Sequence, residues 1–139
     1  MPPVKLNILE AVDRQVARLF DPHVVADVND SQVKVAKFGP QFDWHAHPAE
    51  DEAFLVLRGE VAMDFRDGPV QLSAGDFLLV PRGVEHRPRA LSEAPVVLMF
   101  EPAATLNTGD SISGLTVTQP KRLLPEAEAA SPAEEVRDD

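Results

Sequence analysis

Three of the four histidines and one glutamate in this chain fall in a pattern suited to holding a metal ion. His45 and His47 stand two apart in the run QFDWHAH (41–47). On an extended strand, residues at that spacing project from one face, so both imidazoles aim at one spot. Imidazole is a ligand for zinc, iron, nickel, copper and manganese. Alone, His-x-His is a weak signal, because two ordinary polar histidines produce it as well. The acids Glu50, Asp51 and Glu52 follow directly. A solvated loop accounts for two of them, and Glu52 is the candidate ligand. It shares parity with Phe54 and Val56 on the following strand, whereas Asp51 shares parity with Ala53, Leu55 and Leu57. His86 closes the segment GDFLLVPRGVEH, in which Pro81 and Gly83 signal a turn that returns the chain across the first pair. His23, in the context DPHVV, has no partner pattern and is given no role.

The elements that must position these groups are mostly strands. Residues 8–20, ILEAVDRQVARLF, space Ile8, Leu9, Val12, Val16, Leu19 and Phe20 by threes and fours, which predicts a short amphipathic helix. From Gln32 the pattern changes to short β-like runs at 32–38, 41–47, 53–58, 60–66, 69–73, 76–81, 85–90 and 95–101. A further run at 115–119 predicts an edge strand. Asp67-Gly68 is a hairpin signal between two of the runs. Many short strands at regular spacing predict an all-β sandwich or barrel with the helix as an N-terminal addition. Phe54–Leu57, Phe77–Val80 and Val96–Phe100 are apolar without alternation, and such strands are covered on both faces. One short helix cannot cover the outside of a barrel, so a homodimer is expected.

Composition narrows the function classes. The chain has no cysteine, which excludes thiolate metal sites, iron–sulfur clusters, disulfides and a cysteine nucleophile. A net charge of -10 argues against nucleic-acid partners. Much of that charge lies in residues 125–139, where six acids face Arg137 alone. This segment lacks apolar periodicity and reads as a solvated, disordered tail. No run approaches the roughly 18 apolar residues of a membrane span. The N-terminal stretch has no apolar signal core, and a cytoplasmic location is expected. The organisation expected is an N-terminal helix and loop at 1–30, a β-barrel domain at 31–120 and an acidic tail at 121–139.

Taken together the spacings become specific. The chain reads Gly39-x5-His45-x-His47-x4-Glu52-x6-Gly59, then Gly75-x5-Pro81-x-Gly83-x2-His86, with 15 residues (60–74) between the strings. These closely resemble the paired motifs of the cupin superfamily. The one departure is Ala90, where many cupins have Asn; that position is not a metal ligand in the family pattern. The resemblance implies a double-stranded β-helix barrel, usually dimeric, in which His45, His47, Glu52 and His86 bind one divalent ion. Iron, manganese, nickel and zinc all remain open. Three neutral imidazoles and one carboxylate would leave that ion a net +1 charge, suited to polarising anionic or enolisable oxygen ligands.

Strand parity makes Phe54, Val56, Met63, Phe65 and Phe100 the expected pocket walls. Arg58 shares parity with Phe54, although a surface arginine is the plainer reading. Trp44 falls on the opposite face from the ligands and is expected in core or dimer packing. Outside the ligand set, no residue has the position of an obvious general acid or base. The favoured function is a mononuclear metalloenzyme with dioxygenase-type chemistry on a small organic substrate. A non-catalytic small-ligand or metal-binding protein and a cupin isomerase or decarboxylase are the alternatives.

Overall fold

The computed structural model describes residues 2–126. Helix α1 spans Ile8–Gln15 and opens on Asn7, whose side chain accepts a hydrogen bond from the Glu10 amide. The helix is shorter than its periodicity predicts, because Val16 is already extended at φ -105° and ψ 105°. Tertiary pairing takes the rest of the segment. Leu19 bridges Lys37, the Phe20 amide donates to Lys37 O at 2.7 Å, and the Phe20 ring packs between Phe38 and Phe42.

Among the described residues nine strands follow: β1 (His23–Val28), β2 (Ser31–Lys37), β3 (Glu52–Arg58), β4 (Glu60–Phe65), β5 (Gly68–Ser73), β6 (Phe77–Val80), β7 (His86–Ala90), β8 (Val96–Pro102) and β9 (Lys121–Arg122). They form a six-stranded sheet in the order β6-β3-β8-β2-β1-β9 and a three-stranded sheet β5-β4-β7. All pairings are antiparallel except β1 with β9. The two sheets enclose one core, built from residues such as Val56, Met99 and Val97 on one side and Val61, Met63 and Leu72 on the other. This is the double-stranded β-helix barrel expected.

Several segments depart from the sequence expectations. Residues 23–28, expected as loop, form β1, turned into β2 by Asn29, whose φ of 54° suits a tight reversal. Residues 41–47 join neither sheet and touch the ladder at one bridge, His45 with His86. Residues 115–119 form no strand. The edge position beside β1 goes to Lys121–Arg122, and Leu123 is buried under α1, so the packed fold runs past residue 120. The remainder of the expected tail, 127–139, lies outside the described residues. Among the described residues no helix is long and apolar enough to cross a membrane.

Cross-strand register sorts the large sheet into two faces. Leu78, Phe54, Met99 and Lys34 stand in one row facing inward. Leu79, Ala53, Phe100 and Val33 form one outward row, and Phe77, Leu55, Leu98 and Val35 another. Helix α1 covers only one end of the outer face, around Val35, Leu57 and Val96. Phe77, Leu79 and Phe100 remain 59%, 52% and 41% exposed. Between β3 and β4 the chain turns at Gly59, with φ +85°; a Cβ there would lie 2.7 Å from Ser92 Oγ and 2.8 Å from Pro95 Cβ.

Candidate metal centre

Glu52 opens β3 on the large sheet, and His86 opens β7 on the small one. His45 reaches His86 by an antiparallel bridge, exchanging His45 N–H to His86 O at 3.1 Å and His86 N–H to His45 O at 2.9 Å. His47 follows two residues on, and its carbonyl accepts the Gly83 amide at 2.9 Å. One ligand atom from each of the four residues lies within 4.8 Å of the others, and all four residues are buried. The three imidazole centroids are separated by 4.3, 5.0 and 5.5 Å. Asp51 turns the other way and binds Arg82.

Ring orientation favours ligation. His45 Nδ1 lies 2.9 Å from Asp43 O, and His86 Nδ1 lies 2.9 Å from Val84 O. A carbonyl can only accept, so each Nδ1 carries a proton and Nε2 is the nitrogen left to ligate a metal. His86 Nε2 and both ring nitrogens of His47 are buried without a hydrogen-bond partner. His47 Nε2 sits 3.1 Å and His86 Nε2 3.7 Å from Glu52 Oε1. Two ligand atoms held about 2.0–2.2 Å from one ion would be separated by about 3–3.6 Å, so these spacings suit a shared cation. Buried polar atoms without partners are otherwise costly; a cation would satisfy the Nε2 atoms of His47 and His86, while His47 Nδ1 keeps no partner. The donor set therefore fits a divalent ion.

The electrostatics agree. Burial, reinforced by the neighbouring His86, brings the His45 pKa down from 6.5 to about 4, which keeps the imidazole neutral. Burial would push the Glu52 carboxyl up, but the close imidazoles of His47 and His86 and the Glu101 carboxyl outweigh it and hold Glu52 low. Glu101 is pushed well up by its own burial and by the charge on Glu52, with Lys34 opposing. The two shifts run in opposite directions and favour an ionised Glu52, which suits a cation.

A cavity of about 40 Å³ opens beside the group. His45, Glu52 and His86 line it together with Phe20, Phe38, Phe42, Phe54 and Met99. Of the walls expected from sequence, Phe54 lines it. Val56 and Met63 are buried in the core away from it, and Phe65 packs against that core. Phe100 faces outward, because β8 registers Val97 and Met99 to the interior and places Phe100 opposite Ala53 and Val33 on the outer surface. Trp44 is in neither core cluster; the guanidinium groups of Arg66 and Arg87 lie over its ring, 3.9 and 4.7 Å from the centroid. Arg58 is at the surface, paired with Asp13 of α1. His23 is buried, with Nδ1 2.9 Å from Asp21 O, and stands outside the ligand group.

The sequence reading missed two charged residues in this cavity. Lys34 and Glu101 are both buried and line it, with Lys34 Nζ donating to Thr105 O at 3.1 Å and lying 3.5 Å from Glu101 Oε2. The expectation that no acid or base stands near the ligands is corrected accordingly. A signal was present: Lys34 shares parity with Ala36 and Phe38, and Glu101 with Val97 and Met99.

Comparison with known proteins agrees with this geometry. The cupin domain family model matches residues 31–100. The chain is 40% identical over 87 residues to the uncharacterized protein YdbB of Bacillus subtilis strain 168, covering 62% of this chain and 77% of that protein. A crystal structure of a cupin-2 domain containing protein from Shewanella frigidimarina is 35% identical, with a TM-score of 0.66 over 70% of this chain and 93% of its own. The hydroquinone 1,2-dioxygenase PnpCD, crystallised with Cd2+ and 4-hydroxybenzonitrile, has a TM-score of 0.59 at 24% identity over 70% of this chain and 71% of its own, a likeness of fold alone. With both spaced motifs, the barrel and a family match across its strands, the chain belongs to the cupin domain family.

Proposed function

We propose that His45, His47, Glu52 and His86 hold one divalent ion, and that the protein is a mononuclear metalloenzyme acting on a small oxygen-bearing molecule. Dioxygen-dependent chemistry is the favoured type. The observation that supports this most is the set of buried imidazole nitrogens without partners, two of the three rings having Nδ1 committed to a carbonyl. When bound, the ion would supply Lewis-acid polarisation of a substrate oxygen and, as iron or manganese, access to dioxygen chemistry. The protein's own part is binding and exclusion. Phe20, Phe38, Phe42 and Phe54 give an apolar wall that sheds water, and Lys34 offers a cation to orient a substrate oxygen.

A second reading, an isomerase or decarboxylase, draws on Glu101, a carboxyl beside Lys34 able to move a proton within the same cavity. Metal analysis of protein purified without added metal, joined to oxygen-electrode assays on small diketones, organic acids and phenols, separates the two. Iron or manganese with oxygen uptake supports the first reading. Turnover without oxygen uptake supports the second, and tightly bound zinc without turnover on any substrate counts against both. We further read the protein as a homodimer joined through the outward rows of Phe77, Leu79 and Phe100. The absence of cysteine suits a reducing, cytoplasmic setting.

A further inference from the structure

We propose that Gly109 and Asp110 form a clamp that positions the histidine-bearing segment for metal binding, an inference that rests on the metal reading above. His45 and His47 supply half of the ligand set, yet their segment belongs to neither sheet. A ligand on such a segment is held only as well as its individual backbone bonds allow. One side is tied to β7 and its approach, through His45 to His86 and His47 to Gly83. The other side faces the irregular stretch between β8 and β9.

There a single residue satisfies both backbone groups of Ala46. The Ala46 amide donates to Asp110 Oδ1 at 2.9 Å, and the Asp110 amide donates to Ala46 O at 3.0 Å. Ala46 stands between the two ligand histidines, so this pair of bonds sets the peptide planes next to both. Gly109 makes the approach possible. A Cβ at that position would fall inside contact distance of Ala46 O and within 3.0 Å of His45 Cδ2, and its φ of +55° disfavours a side chain in any case. The clamp has its own anchorage: Asn107 binds Val117 and Leu115, and Thr108 Oγ1 meets Thr116 Oγ1 at 2.7 Å. Asp110 itself is exposed and packs no core, which confines its effect to Ala46. Asp110 is not among the four candidate ligands, and it is therefore a positioning residue. Partners that orient ligating histidines are worth about 10–100-fold in metal affinity.

The test compares wild type with Asp110→Ala, Asp110→Asn and Gly109→Ala, each as the full chain. Co2+ affinity is measured by chelator competition, the visible spectrum of the Co2+ form is recorded, and amide hydrogen exchange across 43–48 is followed without metal. Asp110→Ala is expected to bind Co2+ about tenfold or more weakly, with an altered spectrum and faster exchange at Ala46. Asp110→Asn, which keeps the acceptor oxygen, is expected to restore all three. Gly109→Ala is expected to weaken binding at least as much as Asp110→Ala; if it does not fold, the Asp110 pair decides the matter. Wild type that binds Co2+ while Asp110→Ala binds it equally well would overturn the clamp alone. Loss of affinity in Asp110→Asn equal to that in Asp110→Ala would also overturn it, since the acceptor oxygen would then not be the cause. Wild type that takes up no Co2+, Zn2+, Fe2+ or Mn2+ would overturn the metal reading and this inference with it.

Discussion

His47 should be a liability to the metal-free protein and an asset only when a cation is present. Its Nδ1 is buried without a partner, which costs about 1–3 kcal/mol, and its Nε2 has only the Glu52 carboxylate at 3.1 Å. Replacing His47 by Ala removes that penalty and leaves a void of ring size, whose cost is also on the order of a few kcal/mol. The two oppose each other, so the metal-free His47→Ala protein should melt close to metal-free wild type. With metal the outcome differs. A ligand at 100 times its Kd stabilises by about 2.7 kcal/mol. Unfolding entropy of about 2.1 cal/mol/K per residue over 139 residues comes to about 0.3 kcal/mol/K, so metal should raise the wild-type Tm by about 9 °C. Loss of one of four ligands should remove nearly all of that increment. Differential scanning calorimetry with and without a chelator measures both effects. A metal-dependent rise of equal size in His47→Ala would refute this account of the site, and so would a metal-free variant melting far below metal-free wild type.

Other outcomes follow from the same geometry. His45 is held neutral, with its pKa near 4 in the fold against 6.5 ordinarily, so below pH 6.5 the unfolded chain takes up a proton that the fold does not. Its stabilisation is complete above about pH 6.5 and falls with pH, by about 2 kcal/mol at pH 5; urea midpoints of metal-free protein that coincide at pH 7.5 and 5 would contradict this. Gly59→Ala should destabilise by about 2–4 kcal/mol, from positive-φ strain added to the clash with Ser92 and Pro95. Denaturant titration checks it, and a loss below 1 kcal/mol would show that the turn relaxes. Phe77→Glu combined with Phe100→Glu should convert a dimer to a monomer in sedimentation experiments without unfolding it, because both side chains are already exposed. Wild type sedimenting as a monomer at all concentrations would remove the homodimer from the reading.

Much of the fold was legible locally. Alternation and turn residues marked most of the strands, and parity singled out Glu52 over Asp51 before any packing was considered. The helix ends at Gln15, short of its periodic pattern, because periodicity records only that residues can share a face. Phe20 satisfies the helical spacing, yet it gains more by leaving the helix to pack on Phe38 and Phe42. β1 is not legible locally because HVVADV does not alternate cleanly and follows a Pro, and its pairing with β2 stabilises it beyond its local preference. Phe100 was placed on the wrong face because parity relates residues within one strand and does not say which parity faces in.

What the sequence determined by itself was an all-β chain with four side chains of ligating type, and the resemblance of their two spaced motifs to cupins implied the barrel and the shared ion, because ligand chemistry is a property of residue type. Only the tertiary structure decided which carboxyls and cations share the cavity and how His45 and His47 are held. Lys34 and Glu101 are 67 residues apart in the chain and become neighbours only through the register of β2 on β8. Asp110 meets Ala46 across 64 residues. Contacts of that range depend on sheet order and loop path, and no local pattern of residues encodes either.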